Sequence, residues 1–438
     1  MTAPKQLSRR GFLQSSTALA AGSFAVPYII PSGVLAAPGR PGANDRVGVG
    51  YIGGGRRANQ LMGLPPEAQM VAVADINLPR AESVAAKHQC RSYQYYAKML
   101  EAKDVDAVVV ATPDHWHTLP SVHACQAGKD VYCEKPLTLT IREGRVLVEA
   151  TRKYKRVFQT GSQQRSMGAN RTACELIRNN RIGKLHTVIG FNYPSPWLCS
   201  LPGQPVPAGL DWDMWCGPTA LRPYHKDIYT PRANPGWISF RQYSGGEMTG
   251  WGAHGLDQVQ WALGMDESGP VEIWTEGGPL NAPVYSKPES RAAGEKACSQ
   301  PKVFFRYAND VVLKLENGPH GGAVFIGDEG KISIDRGKFK AEPSSLAAKS
   351  STGPEIRLEV SDNHMQNWID CIKSRKRPIA DVEIGHRSAT VCHLGNIARL
   401  LGRKLRWDPE REVFPGDAQA NALIDVERRK PYELPETV

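Results

Sequence analysis

Arg46-Val47-Gly48-Val49-Gly50-Tyr51-Ile52-Gly53-Gly54-Gly55-Arg56-Arg57-Ala58 decides the fold. From Val47 to Ile52 every residue is apolar or glycine, the pattern of a short strand buried on both faces. Three glycines follow at once. Then a segment with helical spacing of Ala58, Leu61 and Met62 begins. The arrangement is G-x-G-x-x-A between a strand and a helix. Gly53 permits the tight turn, Gly55 lets the backbone approach a pyrophosphate, and Ala58 allows close helix packing. On its own such a run also fits a glycine-rich surface turn.

The next strand separates the two readings. Met70-Val71-Ala72-Val73-Ala74 is apolar and ends on Asp75, 22 residues after Gly53. A carboxylate there can accept both ribose hydroxyls of adenosine and repels a 2′-phosphate, so NAD is favoured over NADP, with nearby Arg80 the one feature pointing the other way. The rhythm continues through Val105–Ala111, a helix over Leu119–Ala127 stopped by Gly128, and the strand Asp130–Cys133. Strands and helices alternating at this length predict an α/β Rossmann domain with a doubly wound parallel sheet over 45–165. Ligands bind beyond the carboxyl ends of such strands, which puts Thr112, His115, His117, Glu134 and Lys135 on that edge.

At 438 residues a second domain is expected, over 166–438. His186–Tyr193, Val303–Tyr307 and Val311–Leu315 alternate as half-buried strands do, with many glycines and prolines between strands. Before the first domain, Ser8-Arg9-Arg10-Gly11-Phe12-Leu13 precedes a mildly apolar stretch and small residues ending near Ala36 and Ala37. A charged start, weakly hydrophobic middle and small-residue end read as a twin-arginine signal peptide over 1–36, hence a periplasmic or otherwise exported protein. No later stretch is long and apolar enough to span a membrane.

The formal charge of +10 falls to +7 without Lys5, Arg9 and Arg10. The basic residues are scattered, which excludes nucleic acid as an expected partner. The nine cysteines contain no CxxC pair, so neither a zinc cluster nor a disulfide framework is indicated, though one or two bridges stay open. No metal is expected, since His115 and His117 have no obvious third ligand.

Ala111-Thr112-Pro113-Asp114-His115-Trp116-His117, Glu134-Lys135-Pro136, Gln163-Gln164-Arg165-Ser166, Asp211–Pro218, Ser244–Asp257, Gly385–Thr390 and Leu401–Asp408 together resemble the Gfo/Idh/MocA oxidoreductases, over essentially all of the chain after the leader. The resemblance implies a C-terminal α+β domain with a large, mostly antiparallel sheet, and a substrate held between sheet and nicotinamide. It implies homodimers or homotetramers through the outer sheet face. The segment from about 360 to 438 is expected to pack back on the first domain.

The resemblance also implies roles. Lys135 would bind the reacting hydroxyl, with His254 the candidate general base. Gly53, Gly55, Ala58, Asp75, Thr112, Pro113, His117, Glu134 and Gln163 would serve the cofactor, and Arg165 the substrate. The family's Asp-x-Gly-x-His departs here to Gly250-Trp251-Gly252-Ala253-His254. Glu247, three residues earlier, or Asp257, three residues after His254, could stand in for the absent aspartate. Trp197, Trp212 and Trp215 could stack on a sugar face, with Trp212 the favoured one. The implied activity is NAD-dependent oxidation of a secondary hydroxyl, or reduction of the ketone, on a sugar, sugar derivative or polyol. Because an exported enzyme meets little free NAD, the cofactor is expected to stay bound. Two alternatives remain: an NAD-dependent glycoside hydrolase using transient oxidation, elimination, hydration and re-reduction, and a non-catalytic sugar-binding protein.

Overall fold

The computed structural model describes residues 41–42, 45–230, 236–287, 300–347 and 356–435. The expected leader at 1–36, and Cys298, lie outside them. From Val47 onward the chain forms one compact unit holding two large sheets.

The first sheet has six parallel strands: β1 (Val47–Ile52), β2 (Ala68–Ala74), β3 (Arg91–Tyr93), β4 (Ala107–Val110), β5 (Asp130–Cys133) and β6 (Phe158–Thr160). Their order, β3-β2-β1-β4-β5-β6, reverses direction at β1. That reversal opens the crevice in which doubly wound sheets hold ligands. Strands β1, β4 and β5 are buried throughout, which is why they read as continuous apolar runs rather than as alternation. The helix Ile141–Lys153, which follows the loop carrying Lys135, starts on a capping box between Thr140 and Glu143, worth about 1 kcal/mol.

The second sheet has eight strands in the spatial order Lys338–Glu342, Gly330–Asp335, Gly322–Gly327, Leu185–Phe191, Val312–Glu316, Val303–Arg306, Glu272–Thr275 and Leu405–Arg406. All neighbours are antiparallel except Leu185–Phe191 with Val312–Glu316. Its inner face, including Val188, Leu313, Leu315 and Phe325, packs in one core with Leu256 and Val259 of the helix Gly252–Leu263.

Part of the chain after residue 356 returns to the first sheet, while Leu405–Arg406 forms the edge of the second. Trp368 is wholly buried against Tyr132. Arg375 pairs with Asp130, Asp381 with Arg152, and Arg145 with both Glu383 and Glu412. The helix Val382–Leu401 lies against the helix Ile141–Lys153, where a Cβ on Gly144 would meet the His386 ring at 2.2 Å. The eight described cysteines are all free, seven of them buried. Among the described residues no helix is long and apolar enough to cross a membrane.

Candidate active site

The glycine turn takes its shape from β1. Gly53 sits at φ +91°, where a Cβ would come within 2.9 Å of the Ala111 carbonyl, so only glycine fits. Nothing lies within 4 Å of a Cβ placed on Gly55, which faces open space, whereas Ala58 is fully buried as the contact that seats the helix Arg56–Leu61. Asp75, at the end of β2, accepts hydrogen bonds from the Gly54 and Asn77 amides, each at 2.9 Å, and is 7% exposed. One acid therefore holds the turn while facing the cleft. The cleft is a cavity of about 480 Å³ bounded by Gly53, Gly55, Asp75, Thr112 and Pro113, with Trp215 and Tyr229 facing them from beyond residue 166. That volume suits a cofactor-sized ligand.

His115, His117, Glu134 and Gln163 lie outside the lining of the cleft. His117 is buried, with both ring nitrogens on carbonyls: Nδ1 at 2.7 Å from Pro136 O and Nε2 at 3.0 Å from Thr112 O. Only a doubly protonated ring can donate to both. Burial works against that charge, but Cys133, Asp114 and the Pro136 carbonyl outweigh it and raise the pKa to about 10. His117 thus ties the end of β4 to the loop after β5 and is not among the residues that line the cavity. His115 Nε2 donates to Trp215 O, 2.8 Å away. Glu134 and Gln163 meet on Arg57, whose Nη2 lies 2.7 Å from Glu134 Oε1 and 2.5 Å from Gln163 Oε1. Arg57 itself lines the cleft. It occupies a variable position of the glycine fingerprint, so nothing in the motif marks it.

Lys135 follows β5 and extends across to the second domain, where Nζ donates to the Gly250 carbonyl at 2.8 Å. Gly250 closes the short helix Glu247–Gly250, and His254 lies one turn further, in the helix Gly252–Leu263, 5% exposed. The turn into Glu247 is made by Gly246 at φ +72°, where a Cβ would fall 2.6 Å from the Pro196 nitrogen. Ser244 fixes the same turn to the first domain by donating to Asp114 Oδ2 at 2.7 Å. The Glu247 side chain folds back over Gly250: Oε2 lies 2.8 Å from where a Gly250 Cβ would stand. That oxygen is buried and has no hydrogen-bond partner among the described residues. A carboxylate therefore occupies the space of the side chain that Gly250 lacks.

Three residues read from the sequence as substrate contacts are placed elsewhere. Arg165 and Asp257 are each 1% exposed and partner one another, Arg165 Nε reaching Asp257 Oδ1 at 2.9 Å and Oδ2 at 3.0 Å. Arg165 Nη2 also reaches Asp266 at 2.8 Å, and Ser388 donates to Asp257 Oδ1 at 2.8 Å. Burial opposes the guanidinium charge, and the two carboxylates more than restore it, leaving its pKa raised. Asp257 thus does not replace the missing aspartate, because its oxygens are spent on the core ion pair. Trp212 stacks on Trp215 at 4.5 Å and donates to Arg222 O, packed inside an aromatic cluster with Trp197. Of these three tryptophans, Trp215 lines the cleft.

Comparison with known proteins agrees with this geometry. Residues 47–162 match the Gfo/Idh/MocA model described as oxidoreductase family, NAD-binding Rossmann fold. Residues 181–434 match the family's C-terminal alpha/beta domain. The chain belongs to the Gfo/Idh/MocA oxidoreductase family. It is 26% identical to rhizopine catabolism protein MocA of Rhizobium meliloti over 50% of this chain, a match that spans only 58% of that relative. It is also 26% identical to inositol 2-dehydrogenase 4 of Saccharopolyspora erythraea, over 83% of this chain and 96% of the relative. Among solved structures, the WlbA dehydrogenase of Bordetella pertussis in complex with NADH and UDP-GlcNAcA superposes with a TM-score of 0.59 at 15% identity, covering 83% of this chain and 99% of WlbA.

Proposed function

We propose that this chain is an NAD-dependent oxidoreductase acting on a secondary hydroxyl, or the corresponding ketone, of a sugar, sugar derivative or polyol, exported with its cofactor retained. The observation that carries the proposal is the meeting of Lys135, Gly250 and Glu247 across the two domains. When bound, the dinucleotide supplies the hydride acceptor. Lys135 holds the reacting oxygen and stabilises negative charge as it develops there. His254 takes the hydroxyl proton, and Glu247 supplies the carboxylate that a side chain at Gly250 would otherwise bring. The inositol dehydrogenase among the relatives supports a cyclic polyol as the first substrate to try.

NAD is favoured over NADP because Arg80 is held between Asp75 Oδ2 at 3.4 Å and the Tyr229 hydroxyl at 2.5 Å. Export by the twin-arginine route rests on Arg9 and Arg10, and oligomers on the outer face of the second sheet. There Ile189, Phe191, Val312, Val324, Ile326 and Trp274 are only half-buried, a surface suited to a second copy.

Exchanging the carboxylate tests the assignment of Glu247. Glu247→Ala is expected to lower kcat/KM by roughly 100-fold. Gly250→Asp alone is expected to be poorly active, because its Cβ meets Glu247 Oε2 and two carboxylates then share one space. Glu247→Ala with Gly250→Asp should recover at least about tenfold over Glu247→Ala. A double variant no better than Glu247→Ala, or Glu247→Ala at the unmodified rate, would show that this carboxylate has no part in the chemistry.

A further inference from the structure

The segment from Gly209 to Tyr229 belongs to neither sheet, yet it forms one wall of the dinucleotide cleft. It is built on an aromatic cluster that includes Trp212, Trp215 and Tyr224. Met214, Trp215 and Tyr229 face the cavity opposite the glycine turn. The segment is fastened to the first domain along the loop after β2. Leu78 N donates to Gly209 O and Asp211 N to Ile76 O, both at 3.0 Å, so Asn77 and Leu210 form an antiparallel bridge. Tyr95 donates to Asp211 Oδ2 at 3.0 Å. At one end, Trp116 Nε1 donates to the Met214 and Trp215 carbonyls, each at 2.9 Å.

At the other end the Tyr229 hydroxyl accepts from Arg80 Nη2 at 2.5 Å and from Asn77 Nδ2 at 3.0 Å, with the Arg80 guanidinium 5.2 Å from the centre of the Tyr229 ring. Asn77 and Arg80 are the residues just beyond Asp75, at the adenosine end of the cleft. A bare doubly wound sheet leaves its crevice open on this side. Here the same chain crosses it.

We propose that Gly209–Tyr229 is a strap that completes the dinucleotide site from the second domain, with Trp215 as its wall and Tyr229 as its latch on Asn77 and Arg80. The strap, and not contact with the glycine turn alone, sets how slowly the dinucleotide leaves. This rests on the reading of the cleft as an NAD site and deepens it by naming what makes the cofactor captive. Release requires the segment to swing away from residues 76–80, and the phenol's two hydrogen bonds, one from a charged donor, are among those broken.

The test measures release, not activity. The full-length protein is loaded with the fluorescent analogue etheno-NAD, and its loss is followed after addition of excess unlabelled NAD. Tyr229→Phe removes the two latch bonds while keeping the ring in its cluster, and Tyr229→Ala removes the ring as well. Release is expected to quicken at least about tenfold in Tyr229→Phe and further in Tyr229→Ala, with the unfolding midpoint of Tyr229→Phe held near that of the unmodified protein. Release from Tyr229→Phe and Tyr229→Ala at the unmodified rate would overturn the strap while leaving the NAD site standing. Unmodified protein that neither carries nor takes up a dinucleotide would overturn both.

Discussion

Lys135→Ala is expected to cut single-turnover reduction of bound dinucleotide by about 1,000-fold or more, within the range lost when a positioned proton-handling or charge-stabilising group is removed. Two features set this size. The ammonium group reaches the second domain and ends on Gly250 O, the glycine over which the Glu247 carboxylate folds. Alanine leaves the substrate oxygen with no cation from this position as charge builds on it. Dinucleotide affinity should stay within about threefold, a difference of well under 1 kcal/mol, because Lys135 is not among the residues lining the cavity. Rapid mixing with saturating polyol gives the rate, and fluorescence titration the affinity. An unchanged rate would reject the role.

Asp257→Ala should act in the opposite way, costing about 3 kcal/mol of stability while leaving the rate per folded molecule near that of the unmodified enzyme. Breaking a buried ion pair from one side strands the other charge, at about 3–5 kcal/mol. The low end applies because Arg165 keeps Asp266 on its second nitrogen. Ser388 loses its acceptor as well. Denaturant unfolding measures the loss. A stable variant with collapsed turnover would instead return Asp257 to the substrate site.

The contrast between these two residues shows what a sequence makes legible. The first domain is written locally: an apolar run, Gly53, Ala58 and Asp75 stand within 30 residues, and strand, turn and acid are each set by near neighbours. Alternation marks Leu185–Phe191 as a strand, whereas Val303–Arg306 is an apolar run buried at its first three residues. Alternation cannot show that Leu185–Phe191 runs parallel to Val312–Glu316, because that pairing depends on the path between them. Lys135 is legible through its motif. The pairing of Arg165 with Asp257 spans 92 residues, and both are charged residues that a local reading assigns to a ligand. The place of Glu247 depends on one left-handed glycine, Gly246, which decides whether the carboxylate turns over Gly250 or away from it. Tyr229 is 149 residues from Arg80, and no local pattern joins them.

On the proposed reading, the cleft holds a captive dinucleotide that takes hydride from a sugar-like or polyol hydroxyl. The test is to denature the purified protein, assay the dinucleotide released, and incubate the native protein with polyols, sugars and aryl glycosides while following reduced nicotinamide and freed aglycone together. The expected result is close to one dinucleotide per chain, reduced by at least one polyol or sugar with no aglycone released. Protein that neither contains nor takes up dinucleotide would contradict it, as would aglycone release without net reduction, which belongs to a hydrolase.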